Sequence, residues 1–199
     1  MTTTLWNTPI LDAFTGLSPA ECTSAAIARM TRFHAESEYG TLFSEPLVVS
    51  EGATESRVSA LESELHSPLP TEYRDFLLHY SVLEMFDGYR VWGLDSGSEQ
   101  PCLDAVTVPG LPLLVCGDVW HDADGDTLML DMSTGSTSVW SHDFRVLRPL
   151  APSFSLAIAR LVSFLTPDDQ SWAQAVETVR HSTRETLARR TTPWWRRAF

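Results

Sequence analysis

The first regular pattern of apolar and polar positions is that of an amphipathic helix that begins near residue 18. Ser18 stands as an N-cap, Pro19 takes the first helical position and Glu21 follows three residues after the cap, which is the pattern of a capping box. Gly40 stands where the C-terminal end of a helix favours glycine. The sequence therefore predicts a helix between these residues, with its apolar face packed against a core.

A helical hairpin is predicted next. Apolar residues at helical spacing predict an amphipathic helix over Thr54 to His66. The segment Ser67-Pro68-Leu69-Pro70 interrupts this pattern, and a second helix capped by Thr71 follows it. The inward-facing side chains are Val58, Leu61 and Leu65 in the first helix and Tyr73, Phe76, Leu77 and Tyr80 in the second.

After Asp87-Gly88 the pattern changes to that of strands, with aromatic and β-branched residues at alternating positions. The predicted strands are Tyr89 to Leu94, Leu111 to Gly117, Thr127 to Ser133 and Ser136 to Phe144, and a short extended stretch precedes them at Pro46 to Ser50. Residues 95 to 110 have the composition of a loop. Because short loops join the last three strands, we expect an antiparallel meander.

Two further helices are predicted after a Pro-containing segment at residues 149 to 152. Ser153 caps the first of them, and the second, over Asp168 to Arg190, becomes basic toward its C-terminal end. The order of helices, strands and helices predicts an α+β fold with a mostly antiparallel sheet flanked by helices. We divide the chain into an N-terminal helical extension (1–45), a central domain (46–166) and a C-terminal helix with an aromatic-basic tail (167–199).

The charge distribution points to protein partners and away from nucleic acid. The formal net charge is −12 and no residue is a lysine. Five arginines stand against 22 acidic residues up to Phe144, and nine stand against four from Arg145 onward. An acidic body repels phosphate backbones and attracts basic proteins. The alternative is that the acidity serves solubility alone.

Cysteine content and hydropathy predict a cytoplasmic protein that binds no membrane. No apolar run reaches the roughly 20 residues of a membrane helix, and the N-terminus lacks the pattern of a secretory signal. Cys22, Cys102 and Cys116 are too few and too widely spaced for a disulfide framework or a CxxC metal site.

The most conspicuous segment, GDVWHDADGD at residues 117 to 126, does not fit a metal site. A calcium loop that begins at Asp122 would have Gly125 at its fourth position, where the motif has glycine at the sixth, and Ser133 where it has glutamate. His121 has no other histidine or cysteine at zinc-ligand spacing. We therefore expect no metal and no other cofactor.

The same segment also lacks the features of an active site. Asp122, Asp124 and Asp126 alternate in a polar turn, so we expect all three to be solvated and ionised alike, which gives no acid/base pair. The chain has no nucleophile elbow and no glycine-rich phosphate loop. The sequence therefore predicts a protein that is not an enzyme.

A tight turn that presents an aromatic residue among charges is instead typical of an interaction surface. The candidate partner-binding residues are Asp118, Trp120, His121, Asp122, Asp124 and Asp126. The structural alternative is a plain hairpin turn, with Trp120 and Trp140 buried in the core. At the other end of the chain, Trp194-Trp195 beside two arginines indicates packing or self-association rather than membrane anchoring.

Four segments in the same order resemble motifs of the SUKH superfamily of cell-wall regulators and bacterial immunity proteins. They are LESELHSPLPTEYRDFLLHYS, the Asp87-Gly88 turn before the strand with Trp92-Gly93, the acidic GDVWHDADGDTLMLDMSTG segment, and LAPSFSLAIARLVSFL. The resemblance covers roughly residues 46 to 166. One departure is His66, where many members have glycine, so we expect the helix to stop later, at Ser67-Pro68.

The resemblance implies a non-enzymatic binding protein. Many bacterial members neutralise a cognate toxin, often a nuclease or a deaminase, so the partner expected here is a toxin with a basic surface. A regulatory scaffold of the same fold unconnected to toxins is the alternative, and a metal- or small-ligand-binding enzyme is a third. A homo-oligomer formed through the C-terminal helix and tail is also left open.

Overall fold

The computed structural model describes residues 4–37, 48–85, 89–94, 101–103, 111–119 and 125–191. The helices are α1 (Pro19–Ser37), α2 (Glu55–Leu65), α3 (Thr71–His79), α4 (Phe154–Leu165) and α5 (Trp172–Thr191), with short 3-10 helices at Leu5–Asn7 and Asp12–Phe14. The strands are β1 (Val48–Glu51), β2 (Tyr80–Met85), β3 (Tyr89–Trp92), β4 (Cys102–Leu103), β5 (Leu113–Val119), β6 (Asp126–Asp131), β7 (Thr137–Ser141) and β8 (Val146–Ala151).

These eight strands form one antiparallel sheet in the order β1-β2-β3-β5-β6-β7-β8. Strand β4 pairs with the first part of β5, on the same side on which β3 pairs with its last part. An antiparallel sheet with helices before and after it confirms the predicted α+β fold class.

One face of the sheet packs against the helices and forms the core. Alternate strand residues point to this face and are buried, and they form one apolar cluster with the helices. The sheet contributes Leu83, Val91, Leu114, Leu128, Leu130 and Val139 to it. Helix α1, from the predicted N-terminal extension, contributes Cys22, Ala26, Met30 and Phe33. The division of the chain into three segments stays a prediction.

The opposite face carries polar side chains in a row across the strands. Cross-strand pairing aligns Glu84, Arg90, Asp118, Thr127 and Trp140, and each is half-buried. The apolar residues of this face, which lie outside the main core cluster, are nevertheless buried: Val82, Trp92, Leu113 and Met129.

Three strands were missed by the sequence prediction. Strand β4 lies within residues 95 to 110, which were expected to form a loop. The second helix of the hairpin was expected to include Tyr80, but α3 ends at His79 and Tyr80 begins β2, because its backbone pairs with Glu51 of β1. Strand β8 contains Pro149, which removes one backbone donor. The sheet tolerates this proline because β8 is an edge strand.

The end of α2 also differs from the expectation. The helix ends on His66 itself, which adopts the left-handed conformation with φ of 53°. The Ser67 N–H bonds to the Glu62 carbonyl at 3.2 Å and the His66 N–H to the Ser63 carbonyl at 3.3 Å, which is a Schellman motif. The histidine therefore takes the position that favours glycine, and the expected shift of the helix end to Ser67-Pro68 is wrong.

Helix α5 begins later than predicted, because Asp168 turns the chain before it. The Asp168 carboxylate accepts hydrogen bonds from the backbone N–H groups of Gln170 and Ser171, at 2.9 and 2.8 Å. The first residue of the helix, Trp172, packs at the interface with α1. None of the described helices has the length and apolar character that crossing a bilayer requires.

Candidate partner-binding surface

The structure places two of the six predicted site residues, Asp118 and Asp126. Trp120, His121, Asp122 and Asp124 lie outside the described residues. Asp118 is in β5 and pairs with Thr127, whereas Asp126 begins β6 and pairs with Val119. Because neighbouring positions in a strand point to opposite faces, the two carboxylates lie on different faces of the sheet. They do not form a single acidic cluster.

The glycine that opens the acidic segment has a packing role. Gly117 lies where β3 and β5 approach each other, next to an irregularity in the β5–β6 register. A Cβ atom at this position would overlap the backbone oxygen of Arg90. The start of the segment is therefore fixed by the contact between two strands.

Asp118 is held within the polar row of the open face. The indole N–H of Trp92 donates to its carboxylate at 2.9 Å. Arg90 is its cross-strand neighbour and pairs with Glu84 on the next strand, Nε to Oε1 at 2.8 Å. A buried tryptophan requires a partner for its N–H, so Asp118 supports the strand in addition to contributing charge.

Asp126 is not a freely solvated carboxylate, so the expectation of a solvated side chain is wrong for this residue. Only 22% of its side chain is exposed. Its Oδ1 accepts the backbone N–H of His142 at 3.0 Å and lies 3.5 Å from His142 Nδ1. Asp126 thereby fixes the start of the turn that joins β7 and β8.

That turn presents the most exposed large apolar side chain among the described residues. Phe144 is 69% exposed, and Asp143 beside it is 75% exposed at its side chain. Arg145 closes the turn with a positive φ of 51°. The guanidinium carbon of Arg148 lies 5.4 Å from the centre of the Phe144 ring, within cation–π range.

We call this group the hairpin-end surface, because the end of β5, the start of β6 and the β7–β8 turn lie at the same end of the sheet. It comprises Asp126, His142, Asp143, Phe144, Arg145 and Arg148. Sequence reasoning missed Phe144, which was taken as the last residue of a strand. Asp143, a turn-forming residue directly before it, was the signal that could have placed it in a turn.

Metal ligation and thiol chemistry can be checked for the described residues. Within the described ranges, no three His, Cys, Asp or Glu side chains come together as a possible metal site. Burial raises the pKa of the Cys116 thiol, and burial, followed by the nearby charge of Glu72, raises that of Cys22. These two thiols are therefore protonated at neutral pH and are poor nucleophiles.

The fold is that of a small α+β protein with one open antiparallel sheet. Comparison with known families shows to which family the chain belongs. Residues 52–160 match the SMI1/KNR4 family, also called SUKH-1. The match covers more than half of the chain, so the protein belongs to this family. A search of curated proteins found no match. Helices α1 and α5 lie outside the matched region.

Proposed function

We propose that this SUKH-1 protein is a non-enzymatic immunity protein of the cytoplasm that neutralises a cognate toxin by direct binding. The family is consistent with immunity-type and with regulatory roles. The observation that carries the proposal is the exposure of Phe144 among charged side chains at the hairpin-end surface. The binding surface proposed from the sequence is thereby extended from the acidic segment to the neighbouring turn.

Phe144 has the properties of an interface anchor. Burying an exposed phenylalanine against a partner contributes about 1.5 to 3 kcal/mol from its apolar area alone. Aromatic residues ringed by polar side chains are typical of positions that dominate interface energies. Asp143 and Arg145, the neighbours of Phe144 in the turn, can form the polar rim of such a contact.

The charge of the chain supports a basic partner. A net charge of −12 attracts a cationic protein over distances of about a Debye length and raises its association rate. The hairpin-end surface itself is mixed, since it contains Arg145 and Arg148 as well as two carboxylates. In the proposed complex, the electrostatic field of the whole protein speeds the encounter, and contacts at the hairpin-end surface fix how the two proteins are oriented.

The two described carboxylates act as structural supports of the proposed surface. Asp118 accepts a hydrogen bond from the Trp92 indole, and Asp126 accepts one from the His142 backbone. Both side chains support the strands and the turn around them.

Co-expression with the product of the adjacent gene tests the proposal. We expect that product to arrest growth when expressed alone, and the chain to restore growth and to co-purify with it. If the product is harmless but still co-purifies, the regulatory-scaffold alternative replaces the immunity proposal. If the two proteins do not bind, both proposals fail for this partner.

The electrostatic part of the proposal has a separate test. Asp122 and Asp124 changed together to Asn should slow association with the partner and flatten its salt dependence. Asp126 is left unchanged because it fixes the β7–β8 turn. The matched control is Glu64→Gln with Glu177→Gln, which removes the same charge from exposed positions on α2 and α5. If both double variants slow association equally, the acidic segment has no specific role in binding.

A further inference from the structure

A groove with an aromatic floor lies between the start of α1 and α3, far from the hairpin-end surface. Tyr80 is partly exposed at its floor and packs on the buried ring of Phe76, with ring centres 5.6 Å apart. The α1 wall consists of Pro19, Ala20, Thr23 and Ser24. Because α1 lies outside the family-matched residues and α3 inside them, the groove is formed by the combination of the two.

The groove and the hairpin-end surface lie at opposite ends of the sheet. Tyr80 is the first residue of β2, whereas the last residue of that strand, Met85, pairs with Tyr89 of β3. Tyr89 in turn pairs with Val119, the last residue of β5 before the acidic segment. A ligand in the groove would therefore not contact Phe144.

Acidic side chains line the α3 side of the groove. Glu72 is fixed by its Oε2 atom, which accepts hydrogen bonds from the backbone N–H and the hydroxyl of Ser155, at 2.9 and 2.7 Å. Asp75 is exposed, and its carboxylate has no ion pair within the described part of the chain. The backbone carbonyl of Asp75 accepts a bond from His79 Nδ1 at 2.7 Å, which orients that ring at the rim.

Among the described residues, none of those that line the groove is an arginine. The nearest basic residue in the sequence, Arg74, forms ion pairs with Glu55 and Glu62 of α2. The groove thus combines an aromatic floor, two carboxylates and the absence of an arginine from its own walls.

The size of the groove selects the kind of ligand. Its cavity volume is about 50 Å³, whereas small-molecule and cofactor sites measure roughly 300 to 1,000 Å³. One water molecule needs roughly 10 to 15 Å³ on the same scale, so the cavity holds about four waters. That space suits the tip of one side chain and excludes a cofactor.

We propose that this groove binds the guanidinium group of an arginine on a basic protein partner. A guanidinium is planar, stacks on aromatic rings and pairs with a carboxylate through two parallel hydrogen bonds. The partly exposed ring of Tyr80 supplies the stacking surface, and the carboxylate of Asp75 supplies the acceptors. A lysine ammonium can form only the point-charge part of this interaction.

The test is an NMR titration of the full chain with N-acetyl-arginine amide at constant ionic strength. We expect saturable shifts of the backbone signals of Ser24, Asp75 and Tyr80. N-acetyl-citrulline amide, the neutral analogue of the same shape, should cause no saturable shift. Equal binding of the lysine or leucine analogue would overturn the assignment to arginine.

A variant pair locates the site. Asp75→Asn should weaken arginine-amide binding about tenfold, the effect of losing a charge-assisted hydrogen bond of about 1.4 kcal/mol. Glu64→Gln removes the same charge from an exposed position on α2 and should leave binding unchanged. Equal weakening by both variants would show a non-specific charge effect and would overturn the proposal. Because the probe replaces the partner, this test does not depend on the proposed toxin.

Discussion

The Asp126 carboxylate accepts the backbone N–H of His142 at 3.0 Å and thereby connects the end of the acidic segment to the turn that presents Phe144. The two residues are 16 positions apart in the sequence. The bond makes Asp126 a supporting residue of the hairpin-end surface.

Replacement of Asp126 should therefore affect the turn as well as the charge. We expect Asp126→Ala to lower the free energy of unfolding by about 1 kcal/mol, the usual loss for one such hydrogen bond. Asp126→Asn retains an oxygen acceptor and should lower it by less. Urea unfolding measures both values. Equal losses for the two variants would contradict the role assigned to the hydrogen bond.

His66 is the next position with a definite consequence. Its left-handed conformation costs a non-glycine residue about 1 kcal/mol, so His66→Gly should increase the free energy of unfolding by that amount. For a chain of this length the melting temperature should rise by about 2 to 4 °C. Glu64→Gly, a control inside the same helix, should instead destabilise by about 1 kcal/mol. A destabilised His66→Gly variant would contradict the assigned conformation of this residue.

The side chain of Glu72 caps the N-terminal end of α4 in place of Ser153. Ser153 stands at the N-cap position but makes no capping bond with its side chain, whereas Glu72 accepts the N–H of Ser155. Glu72→Ala should therefore lower the free energy of unfolding by about 1 to 2 kcal/mol, as other cap losses do. Glu64→Ala on the exposed face of α2 is the control, and it should change the stability by less than about 0.5 kcal/mol. Similar values for the two variants in urea unfolding would show that Glu72 does not cap α4.

The contact between α1 and α5 should depend on pH, because the Trp172 indole of α5 donates to the Glu36 carboxylate of α1. The hydrogen bonds from Arg32 and then from Trp172 lower the pKa of the Glu36 carboxyl. The pKa of Glu36 is therefore lower in the folded state than in the unfolded state, where it is about 4.3. The charged carboxylate stabilises the fold fully above about pH 4.3, and this stabilisation disappears as the pH falls through the folded-state pKa.

The unfolding midpoint in urea, measured from pH 7 to pH 3, tests this coupling. Glu36→Gln should be less stable than the wild type at pH 7, and the two curves should converge toward pH 3. Other carboxyls with lowered pKa values, Glu21 and Asp168, remain in both proteins, so both should lose stability in acid. A constant difference between the curves would contradict the coupling.

The sequence predicted the elements whose signals are local. The Glu21 half of the predicted capping box is present, as the Ser18 N–H donates to the glutamate carboxylate at 3.0 Å. Strand β2 was missed because Tyr80 continues the helical spacing of Phe76 and Leu77. Its strand conformation comes from pairing with β1, which the sequence pattern does not encode locally.

The candidate site was predicted only in part for the same reason. The sequence showed the concentration of acidic residues in the segment. It did not show their hydrogen-bond partners, because these come from other strands. Trp92 of β3 bonds to Asp118, and His142 at the end of β7 bonds to Asp126. The exposure of Phe144 likewise depends on where the β7–β8 turn begins. Asp126 of β6 fixes the start of that turn through its bond to His142, at the end of the neighbouring strand β7.

The affinity of the Phe144→Ala variant for the co-purified partner tests the central claim most directly. The control is Leu111→Ala, which truncates a side chain that is 46% exposed near the opposite end of β5. If the hairpin-end surface is the binding site, Phe144→Ala should raise the dissociation constant by about 30-fold or more, as loss of an interface anchor does, and the control should not change it. A dissociation constant within about twofold of the wild-type value for Phe144→Ala would contradict the proposed binding surface.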